Sequence, residues 1–149
     1  MLKKLFSYFI PITIFKQKSS LSQTLEVTWT DGELVLDSEN TNYSFGNLQK
    51  ILREGLKIIG VQKIQSMHNV LVLGVAGGSV IRTLVDEINF KGQITGVEID
   101  KAIIEIANTY FHLNQIPNLE IVFDDASEYV LKTNKKFDLI IIDVFQDTK

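Results

Sequence analysis

Apolar and polar positions alternate from Thr24 to Trp29, with Leu25, Val27 and Trp29 on one face and Thr24, Glu26 and Thr28 on the other. Asp31-Gly32 follows, then Glu33-Leu34-Val35-Leu36, so the region predicts a β-hairpin. Asn40 to Asn42 is polar and reads as a loop. From Phe45 the period lengthens: Leu48, Ile51, Leu52, Leu56 and Ile59 recur at helical spacing, and Gly60 supplies a stop. The pattern then changes again. Val70-Leu71-Val72-Leu73 is apolar on both faces, as a central parallel strand requires. A helical stretch through Leu84, Val85 and Ile88 follows, then a strand over Gln93 to Glu98 and a helix over Asp100 to Phe111. Leu119 to Phe123 predicts a third strand, Ser127 to Lys132 a helix capped by Ser127, and Phe137 to Ile142 a fourth strand. Strand–helix alternation of this kind defines an α/β fold, a doubly wound parallel sheet preceded by a β-hairpin.

At 149 residues the chain is long enough for one domain with its own core. It is 45% hydrophobic and 22% charged, which excludes wholesale disorder. A net charge of −3 argues against a general nucleic-acid binder, which needs a basic face. No cysteine is present, so disulfides, thiolate nucleophiles and Cys-ligated zinc are excluded, and a reducing, cytoplasmic setting fits. His68 and His112 are too few for a His-rich metal site. Near the start, Lys3-Lys4 precedes an apolar run from Leu5 to Phe15 that Pro11 interrupts. The run is too short to span a bilayer. It is expected to pack on the domain or on a partner; a membrane-surface anchor and a secretory leader are the competing readings.

Ligands of an open α/β sheet bind beyond the carboxyl ends of its strands, and here each strand ends in a glycine or a carboxylate. The first ends in Gly74-Val75-Ala76-Gly77-Gly78-Ser79. Gly74 permits a sharp exit, and Gly77 and Gly78 let a ligand approach the backbone ahead of a helix N-terminus. The second ends at Glu98, 24 residues beyond Gly74 and close to the separation expected of a ribose-binding acid. Asp100 is equally readable as a helix cap. The third ends in Asp124-Asp125-Ala126, where Asp125 could accept from an adenine amine and Ala126 leaves room for a flat ring; helix capping competes for Asp125. The fourth ends at Asp143, where burial and neighbouring carboxylates would raise the pKa and suit a proton acceptor. Together these features point to an adenine nucleoside. A phosphate P-loop is excluded because no Gly-Lys-Ser/Thr follows, and the glycine spacing is wrong for a dinucleotide fingerprint.

The run Val70 to Arg82 resembles the first motif of the spermidine synthase (polyamine aminopropyltransferase) family. Gly96-Val97-Glu98-Ile99-Asp100 resembles the second, Asp125-Ala126 the third, and Asp138 to Asp143 the fourth. Leu34-Val35-Leu36-Asp37 resembles the stretch leading to the family's Tyr-Gln pair, which corresponds here to Leu48-Gln49. The resemblance covers residues 24 to 147 and implies a Rossmann-like, methyltransferase-type fold. It implies S-adenosylmethionine or its decarboxylated form as cofactor, with methylthioadenosine as product. Glu98 would hold the ribose, Asp125 the adenine and Asp143 would be the base, with Gly74, Gly77, Gly78, Ala126 and Gln49 completing the cofactor site. No metal is implied. The implied partner is a small-molecule acceptor, an amine or another nucleophile, with no nucleic acid, no membrane span, and a homodimer as the assembly to test for. Methyl transfer, or a non-catalytic family member, is the alternative reading.

Three positions depart from the family pattern. Gly77 stands where the family carries the Asp that holds the aminopropyl ammonium, Gln146 where it carries a second Asp after the fourth strand unless Asp147 takes that place by a register shift, and Leu48 where it carries the Tyr. The pattern therefore preserves the nucleoside half of the site better than the polyamine half. The expected division is an N-terminal segment over 1–22, a hairpin region over 23–43 and a nucleoside-binding domain over 44–149 holding the first four strands. Family members continue past the fourth strand, so a C-terminally truncated chain is expected. In the order 3-2-1-4 its fourth strand, apolar on both faces, would be an exposed edge. A mean hydropathy of +0.12 fits a core that lacks some of its cover.

Overall fold

The computed structural model describes residues 2–22, 24–38, 41–42 and 47–144. Two four-stranded sheets organise them. The first is antiparallel, in the order β1 (Ile12–Gln17), β2 (Leu25–Thr30), β3 (Glu33–Ser38), β4 (Thr41–Asn42). The predicted hairpin is its centre: Trp29 pairs with Leu34 and Val27 with Leu36 across a turn in which Asp31 and Gly32 both have positive φ. Two strands were not foreseen. β1 is concealed in the sequence by the apolar run around it, and its pairing with β2 shifts register between Thr13 and Phe15. Thr41 and Asn42, expected in a loop, pair with Ser38 and Asp37.

The second sheet is parallel, in the order β7 (Leu119–Phe123), β6 (Gln93–Glu98), β5 (Asn69–Leu73), β8 (Leu139–Ile142). This is the expected 3-2-1-4 order. One face, with Val70, Val72, Ile94 and Ile141, packs under α2 (Asn47–Ile59), α3 (Val61–Gln65) and α4 (Ser79–Arg82). Gly60, at φ 102°, separates α2 from α3 as a stop should. The helix that α4 begins widens into a π-helical turn over Thr83–Glu87. The other face, with Leu71, Leu73 and Val97, is covered by α6 (Ala126–Lys132) and Phe137. Each fully buried leucine or isoleucine of these layers contributes about 2 kcal/mol. The second layer is thinner. Ile140 and Ile142, in register with Leu71 and Leu73, are 52% and 66% exposed: β8 is the expected edge strand, and one of the two faces its apolar sequence suits for burial is open.

α5 (Lys101–Tyr110) joins the two sheets. Its Ile103 and Ile106 pack against Leu25, Val27 and Leu36, and Tyr110 meets Phe15 with ring centroids 5.1 Å apart. The N-terminal segment begins with α1 (Leu2–Phe6).

Candidate nucleoside site at the carboxyl edge of the parallel sheet

Gly74 leaves β5 at φ 88°, and its N–H donates to the Val97 carbonyl at 2.9 Å. The Asp143 N–H donates to the Leu73 carbonyl at 2.8 Å, which draws the end of β8 against the loop. A Cβ at Gly74 would collide with the Asp143 carbonyl. Glycine is therefore required twice here, by backbone conformation and by space.

Glu98, at the end of β6, is buried. Its Oε2 accepts from the Val75 and Ala76 N–H groups at 3.1 and 3.2 Å, and its Oε1 accepts from the Asp100 N–H at 3.0 Å. The carboxylate thus holds the glycine loop in its curl, with Ala76 in the left-handed region at φ 46°. Three accepted bonds leave acceptor capacity on a carboxylate, which has about four lone-pair sites.

Asp100 caps α5, as its position allowed: its Oδ1 accepts from Ala102 N–H at 2.9 Å. Its Oδ2 accepts from the Ser19 hydroxyl, a partner 81 positions earlier. Ser19 in turn accepts from Ser22 N–H at 2.8 Å, so the β1–β2 connection is fastened to the site. Ser19 carried no signal in the sequence, because an isolated serine in a polar stretch fits any turn.

At the end of β7 the backbone continues the edge. Asp124 N–H donates to the Glu98 carbonyl at 3.2 Å, and Asp125 N–H to Asp124 Oδ1 at 2.9 Å. Asp125, not Ser127, caps α6: its Oδ1 accepts from Ser127 and Glu128 N–H at 2.8 and 3.0 Å. The cap precedes the first helical residue, whereas Ser127 already lies within the helix. Ala126 packs with the Leu71–Leu73–Val97 cluster.

Asp143 is half-buried, and burial pushes its pKa from 3.8 to about 6. Neighbouring carboxylates, expected to share in this, are not among the causes.

The edge thus brings together Gly74, Glu98, Asp125 and Asp143. Gly77 lies buried in the turn between Gly74 and α4. Gly78 has positive φ, and a Cβ there would collide with Leu113, so its missing side chain serves packing of the helix. Gln49 is in the first turn of α2, and no described hydrogen bond ties it to the strand ends. Gln146, Asp147 and the side chain of Leu48 lie outside the described residues. Among the described residues no cluster of acids and histidines could hold a metal ion.

A parallel sheet ordered 3-2-1-4 with a glycine loop after its first strand and an acid after its second is that of a doubly wound α/β domain, a class whose ligands lie beyond the carboxyl edge. The spermine/spermidine synthase domain model matches residues 49–148, and the chain belongs to that family. It is 40% identical over 82 residues to a polyamine aminopropyltransferase of Buchnera aphidicola from Schizaphis graminum, a match covering 52% of this chain and 28% of the relative. Spermidine synthase from Thermotoga maritima superposes with a TM-score of 0.64 at 23% identity, over 92% of this chain and 48% of that one. A spermidine synthase in complex with the transition-state analogue AdoDATO superposes with a TM-score of 0.62 at 23% identity, over 90% of this chain and 47% of that one. The chain thus spans about half the length of these solved structures.

Proposed function

We propose that residues 44–149 form a unit that binds the nucleoside of S-adenosylmethionine or its decarboxylated form, and that the protein is a spermidine synthase-like transferase. One observation carries the reading. The buried Glu98 carboxylate is pinned to the Gly74–Ala76 loop, which sets a ribose acceptor beside a curled, glycine-exited backbone. The acceptor set suits the ligand: Glu98 for ribose hydroxyls, the Asp124–Asp125 turn for adenine, Asp143 beside Gly74 for the reacting end. Complex formation between a structural neighbour and AdoDATO supports the same ligand class.

In the reaction an amine nitrogen attacks the carbon beside the sulfonium, the carbon–sulfur bond breaks with its electrons going to sulfur, and the amine proton is lost. The cofactor supplies its own leaving group. The half-buried Asp143 can accept that proton, and its raised pKa brings it nearer to a working base than an ordinary aspartate. Gly77 offers no carboxylate to an aminopropyl ammonium, so transfer to putrescine is expected to be negligible. Calorimetry with methylthioadenosine, S-adenosylmethionine, decarboxylated S-adenosylmethionine and NAD tests the reading. Heat with a sulfonium or thioether nucleoside and none with NAD supports it, and silence with all of the nucleosides refutes it. Robust spermidine formation would overturn the expectation for putrescine.

A further inference from the structure

The segment before β1 turns Ser7 inward and its apolar side chains outward. Leu2, Leu5, Phe6 and Phe9 fall at helical spacing on one side of α1 and the turn that extends it, in which Phe9 and Ile10 N–H both donate to Phe6 carbonyl. All four are exposed, Phe9 by 82%, and Ile10 is exposed beside them. Ser7, on the opposite side, is buried. Its hydroxyl donates to the Lys4 carbonyl at 2.7 Å and accepts from Gly32 N–H at 3.0 Å, while its carbonyl accepts from Asp31 N–H at 3.0 Å. The hook is therefore fastened to the β2–β3 turn through Ser7, with Tyr8 over Gly32, and it presents its apolar stripe to solvent. This reverses the usual orientation of an amphipathic helix on a globular domain. Of the expected packing on the domain or on a partner, the first does not hold for the apolar side chains of residues 2–10.

Charge indicates what the stripe meets. The first 25 residues contain Lys3, Lys4, Lys16 and Lys18 and no acid, in a chain of net −3. Lys3 and Lys4 are exposed beside the stripe, Lys4 with its Nζ 5.8 Å from the Trp29 ring centroid. Lys16 pairs with Glu26, and the turn that holds the hook carries the exposed Asp31 and Glu33. Apolar side chains flanked by lysines match the interface of an anionic bilayer, where the former enter the acyl boundary and the latter meet headgroup charge. We infer that residues 2–10 form a docking hook for an anionic lipid surface, holding the protein at the membrane without crossing it. Among the described residues no helix is long and apolar enough to cross.

The test is co-sedimentation of the full chain with phosphatidylcholine vesicles and with vesicles partly of phosphatidylglycerol. Trp29, the sole tryptophan, provides a second signal through the Lys4 contact. Binding is expected on the anionic vesicles, weakened by salt, with a change in Trp29 emission. Lys3→Glu should weaken partitioning by about 25-fold, since each basic residue near an anionic surface contributes about fivefold and a charge reversal counts twice. Phe9→Ser with Ile10→Ser should abolish it, with the circular dichroism of the folded chain retained in both variants. Equal binding to both vesicle types that ignores Lys3→Glu would overturn the inference. So would a dimer dissolved by the Phe9 and Ile10 changes without vesicle binding, which would assign the stripe to a second copy, or no vesicle binding at all.

Discussion

The two ends of the parallel sheet treat the same residue in opposite ways. β8 is an apolar run bracketed by Asp138 and Asp143. At its amino end the Asp138 carboxylate accepts from the Asn69 and His68 N–H groups at 2.9 and 2.8 Å, and those bonds hold its pKa below the ordinary value. At its carboxyl end no described hydrogen bond reaches the Asp143 carboxylate, and burial holds its pKa above the ordinary value. Strands that begin side by side offer N–H groups; strands that end side by side offer carbonyls, which cannot donate. An acid at the carboxyl edge finds donors only where the chain curls back, as for Glu98, or where a helix starts, as for Asp100 and Asp125. Among the described residues Asp143 has neither, so the amino edge is a fastening and the carboxyl edge keeps acceptor chemistry in reserve.

The sharpest way to break this difference is to spoil the close approach at Gly74. Gly74→Ala combines a disallowed φ with a backbone collision, and about 4 kcal/mol of stability should be lost. Gly60→Ala is the control, because Gly60 also has positive φ but nothing lies within 4 Å of its missing Cβ. It should cost about 1–2 kcal/mol. Equal losses in denaturant titrations of the two variants would mean that the contact between the β5 and β8 ends has no structural weight.

Glu98→Ala is next. It removes the acceptor for three amide groups, Val75, Ala76 and Asp100. A cost of about 3 kcal/mol is expected, since each buried donor left unmade is worth about 1 or more. Nucleoside heat should vanish in the same variant. Glu98→Gln keeps one carbonyl acceptor and should recover part of the stability but little of the binding. Full binding by either variant would remove Glu98 from the site.

The pair at the ends of β8 should then separate by pH. Asp138 has a lowered folded pKa, so its contribution is present above the unfolded value near 3.8 and is lost as pH falls further. Asp143 has a raised folded pKa, so its contribution is complete below pH 3.8 and is lost as pH rises through about 6. Asp143→Asn should flatten the stability profile between these limits, and Asp138→Asn should flatten it on the acid side. Superimposable profiles for the two variants would erase the distinction between the edges.

Much of this arrangement was legible because it depends on local pattern. Runs apolar on both faces marked β5 and β8, and the residue at each strand end marked the edge. What the sequence concealed depends on partners distant along the chain. Asp138 looked like an ordinary member of the fourth motif, and only its placement opposite His68 and Asn69 reveals a fastening. β1 was lost within the apolar run because the hook before it and the strand share the same residue types. Gly78 looked available to a ligand because sequence cannot show that Leu113 fills the space beside it. Asp125 was correctly an edge residue, but its capping of α6 was one of two open readings.

The smallest expected effect concerns the only strut that the carboxyl edge receives from the antiparallel sheet among the described hydrogen bonds. Ser19 bonds to Asp100 Oδ2, and Asp100 N–H bonds to Glu98 Oε1, so a hydroxyl in the β1–β2 connection is two bonds from the carboxylate proposed to hold the ribose. Asp100 keeps its bond from Ala102 without Ser19, but the Leu21 and Ser22 N–H groups also lose the hydroxyl as acceptor, so Ser19→Ala should cost about 1–2 kcal/mol. The informative measurement is the ratio of two losses. If the strut only ties the sheets together, stability falls and nucleoside affinity does not. If it orients Asp100 and through it Glu98, affinity falls too, and Ser19→Thr, which keeps the hydroxyl, restores it. The geometry predicts the second outcome, because Glu98 is held by the same short chain of bonds that Ser19 ends. Unchanged affinity in Ser19→Ala would confine the carboxyl edge to the parallel sheet alone.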